Sequence, residues 1–73
     1  MNTLPMAQLQ AFLAVARARS FSGAARELGI SRSAVSQSVR LLEEELQVPL
    51  FARTTRSVSL TDAGRRLVEG VGP

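Results

Sequence analysis

The chain has 73 residues and a formal net charge of +3, which is enough for one small domain with a modest core. It contains no Cys and no His, so the usual zinc ligands and the histidine-dependent catalytic pairs are missing from the sequence. We therefore expect a protein that is not an enzyme and that needs no cofactor. All nine basic residues are Arg. Arg suits bidentate contacts to phosphate and guanine, although a GC-rich genome that favours Arg codons explains the same bias.

No apolar run in the sequence approaches the roughly 20 residues that a membrane-spanning helix needs. Residues 1–5 lack the charged start and the long apolar segment of a signal peptide. The absence of Cys fits a reducing compartment. The sequence thus predicts a cytoplasmic protein with no membrane partner.

The first predicted helix runs from Met6 to about Arg19. Its apolar residues recur at the i, i+3, i+4, i+7 spacing that makes one stripe along a helix. The stripe consists of Leu9, Phe12, Leu13 and Ala16, with Val15 at its flank. We interpret this helix as part of the core, since nothing on it suggests chemistry.

A second, short helix and a tight turn are predicted next. Ser22 is a good N-cap for a helix from Gly23 to Leu28. Gly29 supplies the left-handed conformation that ends this helix, and Ile30 is expected to fill the turn toward the core. The side chains predicted to face inward are those of Phe21, Ala24, Ala25 and Leu28.

A third helix is predicted from about Arg32 to Leu46, with Ser31 as its N-cap. Its buried seam is Val35, Val39, Leu42 and Leu46. Its opposite face carries small polar and basic side chains, which are Arg32, Ser33, Ser36, Gln37 and Arg40. Alone, this pattern is equally typical of an ordinary amphipathic helix with a solvated face. After a short helix and a glycine turn it favours a helix that lies in the major groove of DNA.

Three consecutive acidic residues, 43–45, follow near the end of the third helix. Phosphates would repel them, so we expect the N-terminal half of the helix to enter the groove and the C-terminal half to point away. Consecutive helix positions point in different directions, so the three carboxylates are interpreted as a solvated face rather than as a metal or catalytic site.

A small hairpin is predicted after Pro49, with strands Leu50–Arg53 and Ser57–Leu60 joined by residues 54–56. A hairpin in this place is a wing. Arg53 and Arg56 are then expected to reach backbone phosphate or the adjacent minor groove. The alternative is a solvent-exposed hairpin whose arginines only aid solubility.

A last helix is predicted after the N-cap Thr61. Ala63, Leu67 and Val71 form a short apolar stripe on it. The stripe has two readings: it docks on the first helix, or it pairs with a second copy of the chain. Because no clear cap follows Val71, we expect the helix to be cut short.

The whole pattern resembles the N-terminal DNA-binding domain of LysR-type transcriptional regulators. The matching positions span most of the chain. They are Leu9, Phe12, Val15 and Ala16; Ser20, Phe21, Ala24, Ala25 and Leu28; Ser31, Ser33, Ala34, Val35 and Ser36; Leu42, Glu43 and Leu46; Leu50, Phe51, Arg53 and Arg56; and Leu60, Thr61 and Gly64. The sequence departs from the family's frequent pattern at Arg32, where Gln is common, and at Gln47, where Gly is common.

The resemblance implies a mainly α fold of the winged helix-turn-helix type. This fold has a three-helix core, a two-stranded wing and the start of a linker helix that pairs two subunits. Residues 1–60 would form the DNA-binding domain and residues 61–73 the beginning of the linker helix. The family's small-molecule effector binds a large C-terminal domain, which is missing here. The expected partners are double-stranded DNA with an interrupted inverted repeat and a second copy of the chain, in the bacterial cytoplasm at the nucleoid.

These observations predict sequence-specific DNA binding in a bacterial transcription regulator. The DNA-binding candidates are Ser31, Arg32, Ser33, Ser36, Gln37, Arg40, Arg53 and Arg56, and the dimerisation candidates are Ala63, Leu67 and Val71. Arg32 is the candidate for a bidentate guanine contact. The alternative is a winged helix that binds only protein, but such a module would carry an apolar or acidic patch on the exposed face of the third helix.

Overall fold

The computed structural model describes residues 6–53 and 58–71. Its elements are α1 (Met6–Ala18), α2 (Phe21–Leu28), α3 (Arg32–Leu46), β1 (Phe51–Arg53), β2 (Val58–Leu60) and α4 (Asp62–Val71). The mainly helical winged helix-turn-helix fold predicted from the sequence is confirmed, and the predicted bounds of the third helix match those of α3.

The three helices α1, α2 and α3 pack on one another and enclose the core. Its buried members are Ala11, Phe12, Ala14, Val15, Phe21, Ala24, Ala25, Val35, Val39, Leu42, Leu50 and Phe51. Val35, Val39 and Leu42 are fully buried along α3, as the predicted seam requires, and Leu46 packs against the core from its edge. Burying this seam turns the opposite face of α3 to solvent.

The buried face of α1 is centred differently from the predicted stripe. Phe12 and Val15 are buried together with Ala11 and Ala14, whereas Leu9, Leu13 and Ala16 are only partly buried. The helix is contacted by both α2 and α3, so its covered arc is broader than a single stripe and includes two alanines.

The helix α2 begins two residues before the predicted start. Ser20, not Ser22, is the N-cap: its backbone is extended and its Oγ accepts a hydrogen bond from the Gly23 N–H at 2.9 Å. Gly29 ends the helix at φ 72°, as predicted. The expectation for Ile30 was wrong, since its side chain is 44% exposed. Gly29 turns the chain away from the core there, and Ile30 donates its N–H to the Ala25 carbonyl.

The helix α3 ends at Gln47, which adopts the left-handed conformation at φ 58° and ψ 39°. The Val48 N–H donates to the Glu43 carbonyl, which satisfies one of the last carbonyls of the helix. Gln47 therefore occupies the position at which many helices end in glycine. Unlike glycine, it has a side chain that disfavours the left-handed conformation. Pro49 follows directly and cannot continue the helix.

The wing is the antiparallel pair β1–β2, with Phe51 opposite Leu60 and Arg53 opposite Val58. The strand β1 begins at Phe51, one residue after its predicted start at Leu50, and β2 ends at Leu60 as predicted. The Phe51 ring joins the wing to the helices, because its centroid lies 5.3 Å from that of Phe12 and 5.9 Å from that of Phe21. The predicted connection 54–56, including Arg56, and the predicted strand residue Ser57 lie outside the described residues.

The helix α4 is tied at its first turn to the two residues that precede β1. Thr61 is its N-cap, as predicted: the hydroxyl accepts from the Gly64 N–H at 3.0 Å and donates to the Pro49 carbonyl at 2.7 Å. The Thr61 N–H also donates to the Leu50 carbonyl. These bonds fix the direction in which α4 leaves the wing.

Within residues 6–53 and 58–71, no helix has both the length and the apolar character that a membrane crossing requires.

Candidate nucleic-acid interface

The start of α3 is held by the cap that the sequence predicts. Ser31 has an extended backbone, and its Oγ accepts a hydrogen bond from the Ala34 N–H at 3.0 Å. Ser31 is exposed, so its hydroxyl and the free N–H groups of the first turn face solvent. Helix N-termini of this kind favour negatively charged groups.

An open groove of about 490 Å³ runs along the exposed face of α3. Five of its seven lining residues are the α3 positions selected from the sequence. They form two adjacent columns at i, i+4 spacing. The first column is Arg32, Ser36 and Arg40; the second begins with Ser33 and Gln37 and ends with Leu41. The structure thus brings the predicted α3 candidates together on one accessible surface.

The arginines of this groove have no acidic partner among residues 6–53 and 58–71. The ion pairs recorded there join Arg17 to Glu27 and Arg65 to Asp62. Arg32 and Arg40 are both exposed and lie two helical turns apart, about 12 Å along the axis at a rise of 1.5 Å per residue. Two unneutralised guanidinium groups at this distance are suited to a polyanion rather than to a single small anion.

The acidic end of α3 is exposed only in part. Glu44 and Glu45 are exposed, as predicted. For Glu43 the prediction was wrong: it is half-buried, and its Oε2 accepts from the N–H groups of Leu50, at 2.8 Å, and Phe51, at 3.3 Å. A chain that turns after Pro49 has amides with no helical partner, and a carboxylate one turn before the helix end is placed to accept from them.

The structure describes the remaining site candidates, on the wing and on α4, only in part. Arg53 is the last residue of β1, but its side chain lies outside the described part of the structure, as does all of Arg56. Ala63 and Leu67 are half-buried on α4 and pack against the domain's own core, together with Val68. The side chain of Val71 is not described. Docking on the domain's core therefore accounts for part of the predicted stripe.

Sequence reasoning missed two members of the groove, Phe21 and Leu41. Phe21 is the first residue of α2 and is 7% exposed, so it was assigned to the core alone. Leu41 was not selected because its residue type does not suggest a polar contact. Its signal was positional, since it lies four residues after Gln37 on the same face of α3.

The fold and this groove define a winged helix-turn-helix protein whose α3 presents Arg, Ser and Gln side chains on one open face. The family model described as "Bacterial regulatory helix-turn-helix protein, lysR family" matches residues 6–65. The chain therefore belongs to the LysR family of bacterial regulatory helix-turn-helix proteins, which confirms the resemblance seen in its sequence.

Known proteins resemble the chain in both sequence and structure. The uncharacterized HTH-type transcriptional regulator YcaN of Escherichia coli (strain K12) is 53% identical over 68 residues, which cover 93% of this chain and 22% of YcaN. A crystal structure of a BenM_DBD/benA site 1 DNA complex matches with a TM-score of 0.87 and 33% identity over 92% of this chain and 75% of that one. A CbnR_DBD–DNA complex matches with a TM-score of 0.87 and 34% identity over 92% and 77% of the two chains.

The chain spans about a fifth of the length of the curated relative YcaN. The match to the family model ends at residue 65, within α4. The shared region therefore comprises the three-helix core, the wing and the first turn of α4.

Proposed function

We propose that this chain binds double-stranded DNA sequence-specifically, as the DNA-binding part of a bacterial transcription regulator. The observation that carries the proposal is the open face of α3, where two arginines, two serines and a glutamine line one groove. An α-helix fits the major groove, and these residue types form the hydrogen bonds that distinguish base edges. The two structurally similar domains described above, in complexes with DNA, support the same reading.

Each groove residue is assigned a role from its chemistry and position. Arg32, in the first turn of α3, takes a bidentate contact to guanine O6 and N7. The side chains of Gln37, Ser33 and Ser36 are shorter than that of Arg32, and they form hydrogen bonds to base edges or to phosphate. Arg40 binds backbone phosphate, which positions the domain without reading sequence.

Contacts outside the groove would complete the interface. Ser31 lies at the α3 N-terminus, where backbone N–H groups favour a phosphate. Arg53 and Arg56 of the wing are proposed to bind phosphate or the adjacent minor groove. The exposed carboxylates of Glu44 and Glu45 oppose any orientation that brings the end of α3 to the backbone, so α3 enters the groove by its N-terminal end and its last turn points away.

The assembly proposed for this chain is a homodimer on an interrupted inverted repeat. Pairing would use α4, through Ala63, Leu67 and Val71. An effector-binding function belongs to a further domain, so residues 1–73 are proposed to bind no cofactor and to catalyse no reaction. The working compartment is the bacterial cytoplasm, at the nucleoid.

Selection of bound sequences from random double-stranded DNA tests this function directly. The chain is expected to enrich a half-site of a few base pairs, and titration should show tighter binding to it than to a scrambled duplex. Affinity for both should fall linearly with the logarithm of salt concentration, because bound arginines release counterions from the phosphates. Failure to enrich any sequence, with equal binding to all duplexes, would refute sequence-specific recognition.

A further inference from the structure

Leu41 is the one apolar side chain in the exposed columns of α3. It completes the column of Ser33 and Gln37 at i, i+4, i+8 and is 43% exposed. The neighbouring column ends in Arg40, so Arg40 and Leu41 line the same end of the groove. The buried seam of α3 is on the opposite face and does not include Leu41.

The column that ends in Leu41 has the dimensions of a surface that reads DNA bases. This inference rests on the proposed function. Ser33, Gln37 and Leu41 span about 12 Å along α3 at 1.5 Å per residue. This length is close to the major-groove width of about 12 Å and to three or four base steps of about 3.4 Å each. Neighbouring side chains of the column are about 6 Å apart, so they can face base pairs about two steps apart, with Leu41 at the far end of the series.

A leucine in this place restricts what it can face. It neither donates nor accepts a hydrogen bond, so pressing it against base acceptors, amino groups or phosphate would desolvate them without compensation. The C5-methyl group of thymine is the only apolar group that a base presents in the major groove. We propose that Leu41 reads sequence by packing against the methyl group of a thymine at one fixed position of each half-site.

Replacement of thymine by uracil removes this methyl group and leaves every hydrogen-bonding group in place. On the half-site selected above, each thymine would be replaced singly by deoxyuridine, and binding measured by fluorescence anisotropy. One replacement is expected to weaken the unmodified chain about fourfold, the value of one buried methyl group. Leu41→Ala should bind the thymine duplex several-fold more weakly and should no longer distinguish thymine from uracil at that position.

Two variants control the measurement. Met6→Ala removes an apolar side chain that is 64% exposed on α1, outside the groove, and should retain the full thymine preference. Leu41→Met keeps an apolar side chain of similar volume and should retain most of it. Because Leu41 is exposed and Ala is a good helix former, Leu41→Ala is expected to fold, and its thermal unfolding curve would verify this.

The proposal is overturned if replacing each thymine of the half-site leaves the affinity unchanged, or if Leu41→Ala keeps the same preference for thymine over uracil. Either result, with Arg32→Ala still altering base preference, leaves the proposed DNA-binding function intact. Failure of the unmodified chain to select any DNA sequence overturns both.

Discussion

Gly64 lies where α4 comes closest to the wing, and its lack of a side chain is a steric requirement. A Cβ built at this position would lie 2.2 Å from the Leu50 carbonyl oxygen and 2.9 Å from Leu60 Cδ2. The nearer atom belongs to the backbone, so it cannot move aside as a flexible side chain would. We expect Gly64→Ala to lower the free energy of unfolding by about 1–3 kcal/mol, as overpacking does, and thermal denaturation measures the loss.

Gly70→Ala is the matched control on the same helix. A Cβ at Gly70 meets nothing within 4 Å. Since Ala is the better helix former, this variant should gain stability, by up to about 1 kcal/mol. A Gly64→Ala protein as stable as the unmodified chain would show that α4 shifts away from the wing without cost.

The guanine contact assigned to Arg32 predicts a loss of selectivity rather than a general loss of affinity. We expect Arg32→Ala to lose discrimination at one or two base pairs of each half-site, by about 1–3 kcal/mol against the wrong base. Titration of a panel of single-base variants measures this. If the variant binds every sequence more weakly by the same factor, Arg32 contacts phosphate and its assigned role is wrong.

Arg53→Ala is expected to behave in the opposite way. Its place at the end of β1 suggests a phosphate contact, so specific and nonspecific DNA should lose affinity alike. The slope of log affinity against log salt should fall by about one unit. An unchanged slope would place Arg53 in solvent.

Among the elements, α2 and α3 end in the same backbone conformation with different residues. Gly29 and Gln47 are both left-handed, at φ 72° and 58°. Gln47 carries the penalty that a side chain meets in this region, about 1–2 kcal/mol. We therefore expect Gln47→Gly to raise the free energy of unfolding by about 1 kcal/mol, which corresponds to roughly 4–8 °C in the melting temperature of a domain of this size.

Gly29→Ala provides the reverse comparison, because a Cβ at Gly29 meets nothing within 4 Å and only its positive φ opposes substitution. It should be destabilised by a similar amount, about 1 kcal/mol. A decrease in the melting temperature of Gln47→Gly would mean that the Gln47 side chain makes a contact that outweighs its backbone strain.

The bounds of the long helices could be predicted from sequence because their signals are local. The α3 seam repeats at helical spacing, and Ser31, Gly29 and Pro49 restrict where helices start and stop. The start of α2 was less determined, because Ser20 and Ser22 are both acceptable caps and packing decides between them. Burial of Phe21 against Phe51 favours the earlier start, and that contact joins residues distant in sequence.

The misplaced side chains have the same cause. Ile30 was assigned to the core by its residue type, but the orientation after a left-handed glycine decides its exposure. Glu43 was assigned to solvent by its charge, but the amides of Leu50 and Phe51 compensate its partial burial. Leu41 was not selected because its apolar residue type does not indicate a polar contact, and its place in the groove is visible only in the folded structure.

For the whole molecule, we expect pairing on DNA to exceed pairing in solution. Ala63 and Leu67 are partly buried against the domain's own core, so little of the α4 stripe remains to cover in a dimer. At roughly 25 cal/mol per Å² of apolar area, this remainder barely offsets the entropy lost on association. Two domains on one inverted repeat are held at a high local concentration, so pairing should appear there first.

Titration of a half-site, a full inverted repeat and a direct repeat of the same spacing measures this effect. The chain should bind the inverted repeat cooperatively and the other two duplexes more weakly per half-site. Sedimentation should show mostly monomer without DNA. Equal affinity per half-site in all three duplexes, with a strict monomer in solution, would assign the stripe to the domain's own core alone.

The close contact at Gly64 also fixes the orientation of any helix that is fused to the end of α4. With no room between Gly64 and the Leu50 carbonyl, and with Thr61 bonded to the Pro49 carbonyl, α4 cannot rotate about its axis without breaking these contacts. A rigid helical segment fused in phase after Val71 would inherit its rotational setting from the wing. Each residue inserted at the junction would turn that segment by about 100°, the angular step of a 3.6-residue helix. The number of inserted residues would therefore set the orientation of an attached domain relative to bound DNA.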